Sequence, residues 1–462
     1  MTTRPSAQLS RTPEILVRIA PVRPAEPVTP RATGRRVCRR YHAWIYTKLD
    51  ISSLLLGDPG AVEPGGASPL PEMAGLPLIG HEEISVTWLS YAEYLSMFYE
   101  GEEALLELRR RLIGSISRGL RAILRLRPHA PRRLRIWWST ETPELDELPW
   151  EILLHGEHRP PRLSIVRGIP GRVVPPLSLR EGQPLRVAVV DPTGGAPASL
   201  SEALEGLGSG IEVAWIEEDD ARKALSAAIQ AGFEVIHVVA DGMVPLGLEG
   251  LLEFSGDEDD TLSSLELTAM LRGSSATILS LTPPETPRVG HGGMPAVYHA
   301  FAHFGHQSGD GPTIAAQLGP MHPRVYREFW RAFYERLAAS LDVEDAMMAA
   351  SQRPLLTPVV LFLRHRFGRQ FTRQGDDARR SPTWPTLGAG QTPEGDVPLT
   401  PAQVTADLSC SRDLLDAAKT LEARYAALGL EFPGKGLIER EGQRQAALDE
   451  ALDQSLSEDT EP

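Results

Sequence analysis

Cysteine is nearly absent. Cys38 and Cys410 are the two in the chain, far apart and in no CxxC spacing, which excludes a disulfide framework and a thiolate zinc site and confines thiol chemistry to two places. Long apolar runs are missing as well: none approaches the roughly 20 residues that a membrane helix needs. The opening MTTRPSAQLSRTPEILVR lacks the uninterrupted apolar core of a signal peptide. A soluble, cytoplasmic protein is expected, with no membrane partner. Basic charge is in deficit, 47 Lys and Arg against 61 Asp and Glu for a formal net charge of −14, so wholesale nucleic-acid binding is not expected. What is present is ordinary globular composition, 42% hydrophobic and 23% charged over 462 residues, enough for two or three domains and a sizeable core.

The charge is unevenly spread. Residues 1–48 hold ten Lys or Arg against two Glu, and residues 109–135 hold ten Arg and no acid. In the second stretch Leu112, Ile116, Leu120 and Ile123 recur at helical spacing opposite Arg111, Arg118, Arg121 and Arg125, the pattern of an amphipathic helix with a solvated basic face. A docking surface for an acidic partner is the competing reading, and no aromatic interleaving or nucleic-acid motif supports a phosphate backbone there. The C-terminal stretch 437–462 is opposite in sign, with eight acids and two arginines. It is either a solvated tail or a cover for one of the basic stretches.

Composition divides the chain. Residues 1–34 are Pro-rich and read as a flexible N-terminus. Residues 35–175 read as an N-terminal subdomain that opens on the strand-like RRVCRRYHAWIYTKL, followed by a long loop at 57–75, the Arg-rich helix at 102–127 and a strand at 133–139. From 176 to 371 short Val/Ile/Leu runs alternate with helical patterns. LRVAVVD, IEVAWIE, EVIHVVA, ATILSLT, TIAAQLG and PVVLFL are the strand candidates; 197–207, 218–231, 264–272, 293–305 and 322–340 are the helices. That rhythm predicts an α/β domain with a mostly parallel sheet buried by helices on both faces. Residues 372–400 read as a linker, and 401–462 as a helical, acidic tail. In sheets of this kind a ligand site lies at the carboxyl ends of the strands, so Asp241-Gly242 after EVIHVVA and Thr282 after ATILSL are expected to face it together.

Three motifs in order, ELDELPWEILLHG (144–156), RLSIVRGIP (162–170) and PLRVAVVDPTGG (184–195), resemble the entry to a CHAT domain. This is the caspase-like, separase-related peptidase module of clan CD found in bacterial signalling and defence proteins. The resemblance runs on through EVIHVVADG and ATILSLTPP to residues 311–350, where Phe333, Tyr334 and Leu337 stand in for an F-Y-x-x-L element and Glu344, Asp345 and Ala346 open a second helix. It covers about 100–370 and implies a caspase-hemoglobinase-like three-layer sandwich. Active members carry H-x-x-x-H-G at the end of the third strand and a cysteine at the end of the fourth. Here Asp241 stands at the second histidine and Thr282 at the cysteine, while His237, Gly242 and Ser280 keep the surrounding pattern.

Neither replacement can do the original chemistry. A threonine hydroxyl is far less acidic than a thiol. An aspartate, with a reference pKa of about 3.9, is too weak a base to deprotonate it, and its charge opposes a developing alkoxide. The resemblance therefore implies a catalytically inactive CHAT-like pseudo-peptidase with a degenerate dyad at Asp241 and Thr282. Such a protein serves as adaptor, inhibitor or substrate, with a protein partner such as an active caspase-like protease. The alternative is a divergent endopeptidase with a non-standard nucleophile, Ser280 paired with His237 or Thr282 itself. No cofactor or metal is expected. DPTGG lacks the G-x-x-x-x-G-K-[ST] pattern, His299, His303 and His306 read as helix-face histidines without the glutamate of a hydrolytic zinc motif, and SGDEDDTLSS (255–264) reads as a solvated acidic loop.

Overall fold

The computed structural model describes residues 14–21, 37–47, 78–88, 133–140, 143–146, 150–151, 162–168, 176–216, 218, 220–244, 249–254, 261–271, 274–287, 297–307, 311–351, 358–363 and 369–373, with a few isolated positions between 419 and 446. The Arg-rich helix at 102–127, the loop at 57–75, residues 255–260 of the acidic loop read at 255–264 and nearly all of the linker and tail lie outside the described residues. Residues 261–264 are not a solvated loop but a strand, Thr261–Ser263, and the start of a helix, with Leu262, Ser263 and Ser264 buried.

The strands in chain order are β1 (Glu14–Pro21), β2 (Val37–Thr47), β3 (Leu78–Trp88), β4 (Arg133–Thr140), β5 (Arg162–Arg167), β6 (Leu177–Leu179), β7 (Leu185–Val190), β8 (Ile211–Ile216), β9 (Val235–Val239), β10 (Asp241–Met243), β11 (Leu251–Glu253), β12 (Thr261–Ser263), β13 (Ile278–Thr282), β14 (Thr313–Gln317), β15 (Val359–Phe362) and β16 (Phe371–Arg373). The helices are α1 (Pro143–Asp146), α2 (Ala198–Glu205), α3 (Ala221–Gln230), α4 (Ser264–Leu271), α5 (Val297–Gln307), α6 (Pro323–Ser340) and α7 (Val343–Ala350).

Eleven strands form one sheet in the order β3-β2-β1-β4-β5-β15-β14-β13-β9-β7-β8. Strands β14, β13, β9, β7 and β8 run parallel, as do β1, β4, β5 and β15, and the two sets meet antiparallel at β14 and β15. The expected α/β architecture, a mostly parallel sheet with helices on both faces, is present. Side-chain alternation along the strands assigns the faces: Val187, Val189, Val235, Val239 and Ile278 pack with α2, α6 and α7, while Ala188, Val190, Ile236, Val238, Leu279 and Leu281 pack with α3, α4 and α5. All five residues of β9 and of β13 are buried, as continuous hydrophobic runs between two helical layers require.

The folded body begins earlier than composition suggests. β1 lies inside the stretch read as a Pro-rich N-terminus, with Leu16, Val17 and Ile19 in the core, because EILVRIAP places apolar residues between the prolines and pairs with both β2 and β4. Nor do 35–175 and 176–371 have separate sheets: β15 comes late in the chain but lies between β14 and β5. A buried ion pair fastens the same junction, and a second, partly buried pair braces β5 beside it. Arg135 of β4 and Ser164 of β5 both bind the Glu344 carboxylate, the serine at 2.7 Å. Arg167 of β5 binds both oxygens of Glu151 at 3.0 and 2.6 Å and also bonds the Asp146 carbonyl. The glutamate of PWE thus locks onto the arginine of SIVR, while its tryptophan, Trp150, donates to the Leu145 carbonyl and meets the Trp138 ring at 4.6 Å with the planes tilted. β16 closes parallel onto β6, so the segment that opens near 176 also ends on that two-stranded sheet.

Candidate functional site

The positions named by the degenerate dyad lie where β9 and β13 end side by side. Parallel pairing sets Ser280 opposite His237 and Thr282 opposite Val239, and the Ala240 N–H bonds the Thr282 carbonyl at 3.1 Å. Ser280 and Thr282 are two apart on β13 and His237 lies opposite Ser280 on β9, so the three share the face covered by α6. That helix starts well defined: Pro323 occupies its first turn and the His322 side chain accepts from the Arg324 N–H. Its Tyr326, Trp330 and Tyr334 recur every four residues, which stacks them along the sheet-facing side; all three are buried.

Four polar side chains on this face form one hydrogen-bonded chain. The Tyr334 hydroxyl donates to Ser280 Oγ at 3.1 Å and lies 2.7 Å from His237 Nδ1, and His237 Nε2 lies 3.0 Å from Thr282 Oγ1. Tyr334 has one proton to give. With that proton on Ser280, its oxygen accepts from Nδ1–H, which leaves Nε2 as the acceptor of the Thr282 hydroxyl. Both ring nitrogens thus have a hydroxyl partner, one as donor and one as acceptor, as a neutral imidazole requires. Its ring also meets Trp330 edge-on at 4.8 Å. His237, Ser280, Thr282 and Tyr334 are each fully buried. Burial drives the His237 pKa from 6.5 down to about 3, and it raises the Tyr334 hydroxyl well above its ordinary value.

This arrangement limits the chemistry. A hydroxyl within 3.0 Å of an imidazole nitrogen has the spacing of a nucleophile and its base. Here, however, the base accepts a proton only near pH 3, about four units below neutrality, and efficient general bases titrate near the working pH. The hydroxyl has no exposed surface for a substrate carbonyl to reach. The sequence-level rescue of Ser280 by His237 also takes another form: the two are joined through Tyr334, and the direct bond of His237 goes to Thr282.

Asp241 opens β10, a strand of a separate three-stranded sheet with β11 and β12. Its Oδ1 accepts the N–H of Gly242 at 2.9 Å, and it pairs in antiparallel register with Glu253. Both carboxylates are buried. Gly242 admits no larger residue, because a Cβ there would lie 2.6 Å from that of Ala300 and 3.0 Å from the Leu251 carbonyl. Asp191 of the DPTGG turn accepts from the N–H groups of Gly195 and Ala196, a self-closed turn.

The helix-face histidines separate by environment: His303 is buried in α5, while His306 bonds Asp146 Oδ2 at 2.7 Å, an oxygen that also accepts from Thr140. Among the described residues no group of three or more His, Cys, Asp or Glu is arranged to hold a metal ion, and no helix is long and apolar enough to cross a membrane. The residues that sequence reasoning passed over as site partners are Tyr334 and Trp330. Their signal was the four-residue aromatic spacing of α6, which points at the same sheet face as His237. No family model matches the chain, and a search of curated proteins returns no match.

Proposed function

We propose that the protein is a catalytically inactive, CHAT-like pseudo-peptidase that acts by binding other proteins, as adaptor, inhibitor or substrate in a bacterial signalling or defence system. The observation that carries this reading is the fate of the in-strand histidine. His237 is bonded through both ring nitrogens inside the core, the position expected to hold the general base is Asp241, and the position expected to hold the nucleophile is a buried threonine. Locking of the PWE glutamate to the SIVR arginine, and of Glu344 to Arg135 and Ser164, supports retention of the scaffold on which the resemblance rests. A caspase-hemoglobinase-like sandwich is part of the same proposal, consistent with the helix–sheet–helix layering.

One observation favours the alternative, a divergent endopeptidase: the 3.0 Å contact of Thr282 with His237. Its burial and the low basicity of the ring weigh against it. Affinity capture of the intact protein from its own cell extract, followed by incubation of the eluate with and without a cysteine-protease inhibitor, tests the proposal. A protein partner recovered in stoichiometric amount, with all inhibitor-sensitive proteolysis tracking that partner, is the expected result. Failure to recover a stoichiometric partner, or cleavage by the purified chain alone, overturns it.

A further inference from the structure

We infer that the outer edge of β8 is a docking strand for an extended, basic segment of another protein. Among the described residues β8 pairs with β7 alone and ends the eleven-stranded sheet. The Leu185 N–H bonds the Gly210 carbonyl at 2.9 Å, which fixes the phase of the parallel ladder. Glu212, Ala214 and Ile216 direct their backbone groups to β7; Val213 and Trp215 direct theirs outward, as Ile211 does its carbonyl, while the Ile211 N–H is taken by the Gly208 carbonyl at 3.1 Å. Edge strands of this kind are commonly blunted by Pro, Lys or a bulge. IEVAWI has neither residue, and its pairing with β7 runs without a register shift.

The side chains name the chemistry of the occupant. Trp215 is 40% exposed, the one exposed large hydrophobic side chain among the described residues. Glu212 is exposed on the opposite face of the strand, and exposed Glu218 and Asp220 follow its end. An incoming antiparallel strand sets one residue opposite Trp215 and another, three positions on, opposite Glu212. Arginine suits both: its guanidinium stacks on the indole face and pairs with the carboxylate. Ile211 and Val213, half-buried against the α6 side, suit an apolar residue between them. A second copy pairing through its own β8 brings the Glu212 and Glu218 of both chains to one rim, so the occupant is a basic segment of another protein.

This deepens the binding reading by giving the partner a chemistry, and it uses a surface apart from the degenerate dyad. The test titrates the intact protein into a labelled hexapeptide of valines with arginine at its second and fifth positions, followed by fluorescence anisotropy. The edge account expects binding at low salt and affinity at least about tenfold weaker when the arginines become glutamates, which removes the stack on Trp215 and sets like charge against Glu212. It expects a comparable loss when alternate amides are N-methylated, because the ladder then lacks its donors. Trp215→Ala weakens binding about fivefold. The inference is overturned by absence of binding, by full affinity of both N-methylated peptides, by indifference to Trp215→Ala, or by a dimer that Trp215→Ala abolishes. None of these outcomes touches the pseudo-peptidase reading, which fails instead on cleavage by the pure chain or on failure to recover a stoichiometric partner.

Discussion

At the scale of single residues the account turns on His237, because a buried imidazole has to be satisfied at both nitrogens without being charged. Tyr334 and Thr282 do this. Removing the phenol oxygen in Tyr334→Phe leaves His237 Nδ1–H and Ser280 without their partner inside the core, so the variant is expected to lose about 1–3 kcal/mol, read from the shift of the urea midpoint. The pH dependence follows from the same burial. The native ring stays neutral down to about pH 3, whereas an unfolded histidine takes a proton near 6.5. Within that window the unfolded state binds more protons, so stability is full above about pH 6.5 and falls as pH drops toward 3. Between pH 6.5 and pH 5 the loss attributable to His237 is about 2 kcal/mol. Urea unfolding at both pH values shows it as a difference between the wild type and His237→Gln, which lacks the titrating group; equal pH slopes for the two contradict the assignment.

Between elements, two acids two positions apart separate a local role from a long-range one. Asp342 caps α7 by accepting the N–H groups of Glu344 and Asp345. Asp342→Ala is expected to cost about 1 kcal/mol, the usual value of a lost N-cap. Glu344 sits in the first turn of the same helix but reaches across to Arg135 and Ser164. Glu344→Ala strands a buried guanidinium and is expected to cost about 3–5 kcal/mol, measured in the same unfolding experiment. The contrast shows what a sequence can and cannot convey. Strands β7, β8, β9, β13, β14 and β15 and helices such as 322–340 were legible, because uninterrupted Val/Ile/Leu runs and helical periodicity are local properties, whereas the three-residue strands β6, β10, β11, β12 and β16 were too short to carry a pattern. The Arg135–Glu344 pair was not, since the two are 209 residues apart and nothing local marks one as the other's partner. β1 was missed because flanking prolines outweighed a short apolar run whose pairing is non-local.

For the whole molecule, the order of elements along the chain and their order in the sheet diverge at β15, which joins the N-terminal strands to the C-terminal parallel block. That junction is where PWE, SIVR and Glu344 converge, so motifs read only as a succession in the sequence are in contact, or nearly so, in the fold. The candidate site was legible as positions, Asp241 and Thr282, but not as an environment. The four-residue spacing of Tyr326, Trp330 and Tyr334 announces a helix face, while the identity of the sheet residue it covers depends on strand register. Loss of catalysis is the claim that most needs a direct answer. The decisive measurement is a survey by mass spectrometry of new peptide termini, after the purified protein has been incubated with a denatured extract at neutral pH, beside its Thr282→Ala and Ser280→Ala variants. The account predicts the same termini as a protein-free control from all three. Sequence-specific termini that appear with the wild type and vanish in either variant contradict it.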